Sequence, residues 1–286
     1  MDRKVCLITG ATRGLGRFLS EYFLDLGYNL ILVSSSKGNL DTLISNLTIA
    51  PDQRVCTIES DLSLQESAYN LFVKVKKFTN KIDLLINNAA IQGPIGPFEE
   101  NDLTEWYKTF EVNLFSVCKI SQQAIPYMKS NDGGSIINIS GGGSTSSRPN
   151  FSAYATSKTA IVRFSEIFAE EMRDMKININ VNSIAPGAMP TDMMKEISSA
   201  SYNQAGTKEK DMANKVLAND FDMIPIGKLC QYLTTEEGRL ISGKLISVQW
   251  DKWEDWADHI GELTNSDLYT LRRITCRDRN LKWGDR

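Results

Sequence analysis

Short apolar runs alternate with amphipathic stretches along most of the chain. The apolar runs predict strands that are buried on both faces, and the longer stretches with apolar residues near helical spacing predict helices. The predicted strands are residues 5–8, 30–33, 55–58, 82–86, 135–139, 178–184 and 244–248. The predicted helices are residues 18–26, 40–47, 63–78, 104–128, 152–172 and about 229–234. Because this alternation indicates βαβ crossovers, we expect an α/β fold, a doubly wound Rossmann-type sandwich around a mainly parallel sheet.

The alternation breaks after Pro186-Gly187. Residues 188–225 are rich in methionine, serine and asparagine, a composition that fits a mobile helical segment or lid over a site. A loose surface excursion is the alternative. We expect residues 1–250 to form the Rossmann-type domain, with this lid as part of it.

Residues 251–286 differ in composition from the rest. Their first half is acidic and rich in tryptophan, and their second half is basic, with Arg272, Arg273, Arg277, Arg279, Lys282 and Arg286. Tryptophans bury large areas and opposite charges can pair with a neighbour, so we expect this C-terminal extension to pack on the domain or on a neighbouring subunit. The alternative is an arm that reaches the substrate pocket.

The charge of the chain bears on its partners. Its 286 residues carry a net charge of -3. Nucleic acid or an anionic membrane as the main partner would require a basic face, so we expect a small-molecule ligand instead. The apolar runs are too short to span a bilayer and the N-terminus has no signal-peptide core, which predicts a soluble, cytoplasmic protein.

Cysteine and histidine offer little chemistry. The five cysteines form no CxxC pair, and their odd number in apolar contexts is typical of reduced cytosolic thiols. The single histidine, His259, disfavours a Ser-His-Asp or Cys-His mechanism, and no cluster has metal-ligand spacing, so we expect no metal. Acid and base chemistry therefore falls to other side chains.

A glycine-rich turn, Thr9-Gly10-Ala11-Thr12-Arg13-Gly14-Leu15-Gly16, follows the first predicted strand and opens a helix. Gly10 permits a tight turn, Gly14 lets the backbone approach a pyrophosphate, and Gly16 allows close packing of helix on strand. The helix N-terminus then points at the anion. This context predicts a dinucleotide site.

Tyr154 and Lys158 lie four residues apart and so share one face of the helix 152–172. An ammonium group close to a phenol stabilises the phenolate and lowers the pKa of the tyrosine toward the range of a useful acid/base catalyst. A surface tyrosine and lysine one turn apart is the alternative.

These features together resemble the short-chain dehydrogenase/reductase family, in order and at suitable spacing, over about residues 4–249. The matching motifs are Thr9-to-Gly16, Asn87-Asn88-Ala89-Ala90, Ser140, Tyr154 with Lys158, and Pro186-Gly187 with Thr191. The resemblance implies a seven-stranded sheet in the order 3-2-1-4-5-6-7 and a nicotinamide cofactor bound across the strand ends. It also implies a homodimer or homotetramer through the helices about 104–128 and 152–172.

The resemblance assigns the catalytic residues as Asn113, Ser140, Tyr154 and Lys158. Tyr154 would give its proton to a ketone oxygen or take it from an alcohol, and Lys158 would lower the tyrosine pKa and hold the ribose hydroxyls. Ser140 would hydrogen-bond the substrate oxygen. Asn113 would tie Lys158 to a water chain, and a buried asparagine that caps or kinks its helix is the compatible alternative.

By the same resemblance Asp61 would hold the adenine ring, Asn87 and its neighbours would line the adenosine side, and Thr191 would meet the carboxamide. Charge bears on the choice between NAD and NADP. The segment Ser34-Ser35-Ser36-Lys37 has no acidic residue to hydrogen-bond a ribose 2′-hydroxyl. Arg13 and Lys37 can instead pair with a 2′-phosphate. We expect NADP; NAD bound without its usual acidic partner is the alternative. The expected cofactor contacts are Gly10, Thr12, Arg13, Gly14, Leu15, Gly16, Ser34, Ser35, Lys37, Asp61, Leu62, Asn88, Ala89, Ala90, Tyr154, Lys158, Pro186, Gly187 and Thr191.

Two departures from the family pattern concern the pocket. Ala90 stands where the family has glycine, so it would crowd the cofactor slightly, and Gln249-Trp250-Asp251 replaces the usual Asp-Gly-Gly. The expected activity is NADPH-dependent interconversion of a ketone and a secondary alcohol on a polar small molecule. Tryptophans near 250–256 could stack on a ring, which suggests a sugar or nucleotide-sugar. A non-catalytic NADP-binding regulator, and an epimerase or dehydratase with tightly held cofactor, are the alternatives.

Overall fold

A computed structural model describes residues 3–281 and 283 of the protein. Seven strands form one parallel sheet in the order β3-β2-β1-β4-β5-β6-β7, which confirms the expected topology. The strands are β1 Val5–Thr9, β2 Asn29–Ser34, β3 Val55–Glu59, β4 Leu84–Asn87, β5 Gly134–Ile139, β6 Ile179–Ala185 and β7 Leu245–Ser247. The helices of the domain are α1 Gly14–Asp25, α2 Lys37–Asn46, α3 Ser67–Phe78, α4 Leu103–Phe110, α5 Ser116–Lys129, α6 Ser152–Asp174 and α10 Ile224–Tyr232.

The two faces of the sheet bury two hydrophobic clusters, because successive strand residues point to opposite sides. Cys6 and Ile8 of β1 pack on the side of α1, α2 and α10, whereas Val5 and Leu7 pack on the side of α3, α5 and α6. All five residues of β1 are buried, which explains why the strands read as apolar runs with no polar alternation.

Two helix boundaries that bear on the site differ from the sequence expectation. The helix expected to begin at residue 63 begins at Ser67, because the Asp61 carboxylate accepts the backbone N–H and the hydroxyl of Ser63 in a local turn. The helix expected over 104–128 is α4 and α5 joined by a π-helical turn, Glu111–Phe115. Such turns often occur at functional sites, and this one carries Asn113.

The segment 188–225 is helical. It contains α7 Asp192–Ser199, α8 Tyr202–Ala205 and α9 Thr207–Leu217. A small separate hydrophobic cluster, formed by Phe151, Met194, Ile197, Ala205 and Ala213, fastens these helices to the start of α6. We call the segment the lid.

The C-terminal residues pack on the domain. Trp253 and Trp256 are buried in the cluster beside α1 and α10, and a short helix, α11 Ile260–Thr264, follows. Further on, the chain runs along the free edge of β7: Leu245 N–H donates to the Tyr269 carbonyl, and the Lys244 ammonium donates to the carbonyls of Ser266 and Leu268. Lys282 and Arg286 lie outside the described residues.

Within the described residues, none of the helices combines the length and the apolar character that crossing a bilayer requires.

Candidate active site

A cavity of about 1070 Å³ opens at the carboxyl ends of β1, β4, β5 and β6 and extends under the lid. The sheet order reverses between β1 and β4, which is where open α/β sheets bind their ligands. The cavity is lined by Gly10, Thr12, Arg13, Gly14, Leu15, Ser34, Ser35, Asp61, Leu62, Asn88, Ala89, Ala90, Ser140, Tyr154, Lys158, Pro186, Gly187 and Thr191. One continuous space therefore brings together most of the residues singled out in the sequence.

The glycine-rich turn has the backbone shape that a phosphate loop requires. Gly10 and Gly14 have φ values of 63° and 47°, which side-chain-bearing residues rarely adopt. A Cβ on Gly16 would lie 2.0 Å from the Gly10 carbonyl oxygen, so this glycine allows the close approach of α1 to β1 and does not itself line the cavity. The Asn88 amide donates to the carbonyls of Thr9 and Gly10 and locks the turn in place.

The start of α1 suits an anion. Among the described residues no side chain caps this helix, and its first turn carries no acidic residue. Its first N–H groups, with the positive end of the helix dipole, therefore face the cavity without a competing carboxylate. This arrangement fits the pyrophosphate of a dinucleotide.

The expected 2′-phosphate contacts are only partly in the cavity. The Ser34 hydroxyl lies 3.0 Å from the Thr12 hydroxyl, and both line the cavity with Ser35. Arg13 lines it too, but its guanidinium pairs with Asp192 of the lid at 3.2 Å. Lys37 does not line the cavity; it begins α2, and its N–H donates to the Glu59 carboxylate. Sequence reasoning missed Asn39, which does line it.

Asn87, expected on the adenosine side, is not at the cavity. Its side chain is buried inside the sheet, where its amide donates to the Asn138 carbonyl oxygen at 2.8 Å and to the Ser121 hydroxyl at 3.1 Å. As the last residue of β4 it points toward β5, so its role is to hold the neighbouring strand. Its neighbours Asn88 to Ala90 line the cavity.

Gly141, the residue after Ser140, lies against the hydroxyl of Tyr154. A Cβ on Gly141 would lie 2.5 Å from the Tyr154 hydroxyl oxygen, so a glycine at this position leaves room for the phenol. The Ser140 hydroxyl is buried and has no hydrogen-bond partner among the described residues. A buried hydroxyl without a partner is costly, and here it points to a ligand oxygen as the missing partner.

Lys158 lies deep beside the tyrosine. Its ammonium donates to the Ile139 carbonyl at 2.8 Å and lies 5.6 Å from the centre of the Tyr154 ring. Burial lowers the pKa of Lys158 from 10.5 to about 8. The group thus keeps most of its charge at neutral pH and loses it under mildly alkaline conditions.

The expected lowering of the tyrosine pKa is wrong for the free site. Burial raises the pKa of Tyr154 above its ordinary value of 10.0, and the opposing influence comes from Arg148. The physical reason is that removing a phenolate from water outweighs the attraction of a cation several ångströms away. Tyr154 is therefore a neutral proton donor in the free site.

Asn113 lies behind the cavity wall. Its side chain is fully buried in the π-helical turn, where its amide donates to the Ile91 carbonyl and the Ser157 hydroxyl, and its oxygen accepts the Ile91 N–H. These bonds fix the segment that follows β4. In the described part of the chain, Asn113 forms no direct hydrogen bond to Lys158.

The C-terminal side of the cavity departs from the family pattern. The Gln249 side chain packs on Gly187, where an added Cβ would lie 2.4 Å from it. Trp250 is 83% exposed at the rim, and Asp251 accepts the Ser247 N–H at 2.7 Å. Tyr269 and Thr270 of the C-terminal extension also line the cavity, as in the alternative in which this extension reaches the pocket, although the sequence did not single out these two residues. Within residues 3–281 and 283, no group of acidic, histidine or cysteine side chains is placed to hold a metal ion.

Comparisons with known proteins agree with this geometry. A family model described as short chain dehydrogenase matches residues 4–201. The 3-oxoacyl-(acyl-carrier-protein) reductase of Thermotoga maritima is 27% identical over 87% of this chain and 97% of its own length. The 7alpha-hydroxysteroid dehydrogenase of Escherichia coli is 26% identical over 87% and 93%. A solved structure of 4-hydroxyisoleucine dehydrogenase complexed with NADH is 27% identical, with a TM-score of 0.72, over 86% of this chain and 96% of that one. The protein therefore belongs to the short-chain dehydrogenase/reductase family of oxidoreductases.

Proposed function

We propose that the protein is an NADPH-dependent ketoreductase that interconverts a ketone and a secondary alcohol on a polar small molecule. The observation that carries this proposal is the buried, unpartnered Ser140 hydroxyl beside the neutral Tyr154 phenol. Both residues line the same cavity, and hydroxyl donors of this kind can stabilise a carbonyl oxygen as it gains negative charge.

The residues then have separate tasks. Ser140 donates to the substrate oxygen and orients it, and Tyr154 passes its phenolic proton to that oxygen as the carbonyl becomes an alcohol. Lys158 holds positive charge near the tyrosine as the proton leaves. Bound NADPH supplies the hydride that the carbonyl carbon receives.

The protonation states favour reduction at neutral pH. With its pKa raised by burial, Tyr154 holds its proton and is ready to donate it, whereas alcohol oxidation would need the phenolate. The reverse reaction should therefore require a higher pH than ketone reduction.

The cofactor preference rests on charge. Ser34 and Ser35 line the cavity at the end of β2 without an acidic neighbour in that turn, and Arg13 stands at its edge. Arg13 would have to leave Asp192 to meet a 2′-phosphate, and since both side chains are largely exposed this pair is easily exchanged. These features support NADP over NAD.

The substrate is proposed to be polar and of medium size. The walls beyond Tyr154 offer Ser144, Arg148 and Gln92 together with methionines of the lid. Trp253 and Trp256 are not available to stack on a sugar ring, because both are buried in the hydrophobic cluster beside α1 and α10. Trp250 alone of the three is at the cavity and free to stack.

We also propose that the protein forms a homo-oligomer. Helices α4 and α6 and the π turn between α4 and α5 present exposed apolar side chains, among them Tyr107, Ile167 and Phe115. Burying such residues against a second copy would favour a homodimer or homotetramer.

The test is a carbonyl panel with wild-type protein and two variants, Tyr154→Phe and Ser140→Ala. Consumption of NADPH is followed by nicotinamide fluorescence, together with the affinity for NADPH. We expect reduction by the wild type, at least a 100-fold loss in each variant, and unchanged cofactor affinity. Tight NADPH binding with no turnover of any carbonyl would reject the ketoreductase and favour a non-catalytic NADP-binding regulator.

A further inference from the structure

Gln92 is a buried polar side chain whose function the reaction above does not use. It is 2% exposed and lines the cavity, two residues beyond Ala90. Neither its amide nitrogen nor its amide oxygen has a hydrogen-bond partner among the described residues. Leaving a buried polar atom without a partner lowers the stability of a protein by about 1–3 kcal/mol, so an amide with both atoms unpaired destabilises the free protein.

The position of Gln92 is fixed from both sides. On one side, Asn113 binds both the N–H and the carbonyl of Ile91. On the other, Gly93 has a φ of 69°, and a Cβ there would lie 2.2 Å from the Thr109 hydroxyl. The backbone at 91–93 is therefore held by α4 and the π turn, so Gln92 is presented by a rigid support.

Gln92 also lies where the main cavity meets a second, smaller recess. Besides the main cavity it lines a shallower recess of about 380 Å³, which runs toward α4 and is bordered by Glu105 and Lys108. A ligand whose reacting carbon lies at Ser140 and Tyr154 can thus extend past Gln92 toward the polar recess. The amide would meet a substituent of that ligand some bonds away from the reacting carbon.

We propose that Gln92 is a specificity-determining residue that binds a second hydroxyl group of the substrate. A hydroxyl both accepts a hydrogen bond and donates one, so a single such group can satisfy the amide nitrogen and the amide oxygen together. This assigns the substrate class as hydroxyketones and their diol products. The inference rests on the proposed ketoreductase function, which it makes more specific.

A site built to bind a hydroxyl rejects the analogue that lacks it, because its own polar groups then stay unpaired. The probes are cyclohexanone and its hydroxy-substituted derivatives, one for each ring position, reduced by the wild type and by Gln92→Leu. We expect the wild type to prefer at least one hydroxyketone over cyclohexanone by about 10- to 100-fold in kcat/KM, and the ratio of these two kcat/KM values to fall toward one in the variant. The matched control is Gln122→Leu, the same change at an exposed position of α5.

Two further measurements separate the inference from a structural role and from the reaction itself. Because Gln92→Leu removes unpaired buried atoms, its melting temperature should equal or exceed that of the wild type; a clear decrease would indicate a structural residue. Thermal unfolding with NADPH and either cyclohexanediols or cyclohexanol reports binding without turnover, because an alcohol cannot accept the hydride of the reduced cofactor.

The outcomes are distinct. If the wild type reduces ketones with no preference for hydroxyketones, the assignment of Gln92 is overturned and the ketoreductase stands. If no ketone is reduced but a diol stabilises the wild type and not Gln92→Leu, the assignment stands and the reaction is wrong. If no diol stabilises the wild type more than cyclohexanol and no hydroxyketone is preferred, the assignment is overturned.

Discussion

Arg148, in the loop before α6, is paired with Glu209 of lid helix α9, at 2.8 Å between guanidinium nitrogen and carboxylate oxygen. Both side chains are largely buried, at 10% and 16% exposure. The same guanidinium stacks over the Phe151 ring at 4.1 Å and lies 5.6 Å from the centre of the Tyr154 ring. One cation thus connects the lid to Tyr154, so a movement of α9 would change the surroundings of the phenol.

Replacing Glu209 should loosen the lid. In Glu209→Gln the guanidinium of Arg148 loses its charged partner in a largely buried place, which we expect to destabilise the closed lid by about 1–3 kcal/mol. Amide hydrogen exchange should rise in 188–225 and stay unchanged in the sheet, and KM should rise more than kcat falls. Asp220→Asn, an exposed carboxylate of the same segment, is the control. Equal exchange in both variants would mean that the pair does not hold the lid.

Lys158 should make cofactor-free protein more stable as the pH rises. Its pKa is about 8 in the folded protein and 10.5 in its ordinary state, so between these values the unfolded chain binds more protons and the free energy of unfolding increases with pH. The full difference corresponds to roughly 3 kcal/mol.

The measurement is urea unfolding at a series of pH values for the wild type and Lys158→Met. The variant should lack this rise, whereas Lys129→Met, at the exposed end of α5, should retain it. If Lys158→Met shows the same dependence as the wild type, the lysine is not buried in the charged form as described.

Arg13 should determine the preference for NADPH. Titration with NADPH and NADH, followed by nicotinamide fluorescence, should give about 10- to 100-fold weaker NADPH binding in Arg13→Ala with little change for NADH, as expected for one charge-assisted phosphate contact. Asp192→Asn should strengthen NADPH binding, because it frees the guanidinium from its lid partner. Arg17→Ala, an exposed arginine of α1 paired with Glu21, is the control. NADPH affinity that is unaffected by Arg13→Ala would favour NAD as the cofactor.

Asn113 should affect catalysis indirectly, by holding the backbone of Ile91 in place at the cavity wall. Asn113→Ala removes both bonds to Ile91 and the bond to Ser157, and we expect a stability loss of about 2–3 kcal/mol together with a reduced kcat, since Ile91 lines the cavity. Ser157→Ala keeps the two bonds to Ile91, so its loss should be smaller. Equal losses in both variants would indicate that the contact to Ile91 is unimportant.

The fold could be predicted from sequence because a doubly wound sheet leaves a strong local signal. Strands buried on both faces are continuous apolar runs, and β1 and β2 were predicted within a residue or two of their ends. The glycine turn, Ser140 and the Tyr154–Lys158 pair are also local, since each needs a particular residue at the end of a strand or on one helix face.

What could not be predicted depends on contacts between distant residues. Arg148 meets Glu209 across 61 positions, and Tyr269 meets Leu245 at a strand edge, and neither pairing has a periodic signature. The π turn at Asn113 is a local change in helical hydrogen bonding with no composition of its own. The raised pKa of Tyr154 depends on how deeply the lid and loops bury it, which the spacing to Lys158 does not reveal.

The proposed reaction is tested most directly by following the hydride from NADPH to the carbonyl carbon of the substrate. A ketone that the wild type reduces is incubated with NADPH carrying deuterium at both hydrogen positions of nicotinamide C4, and the product is analysed by mass spectrometry, with Tyr154→Phe in parallel. We predict one deuterium on the carbinol carbon of the wild-type product and almost no product from the variant, although it still binds NADPH. Product without deuterium, or equal yields from both proteins, would contradict direct hydride transfer with Tyr154 as the proton donor.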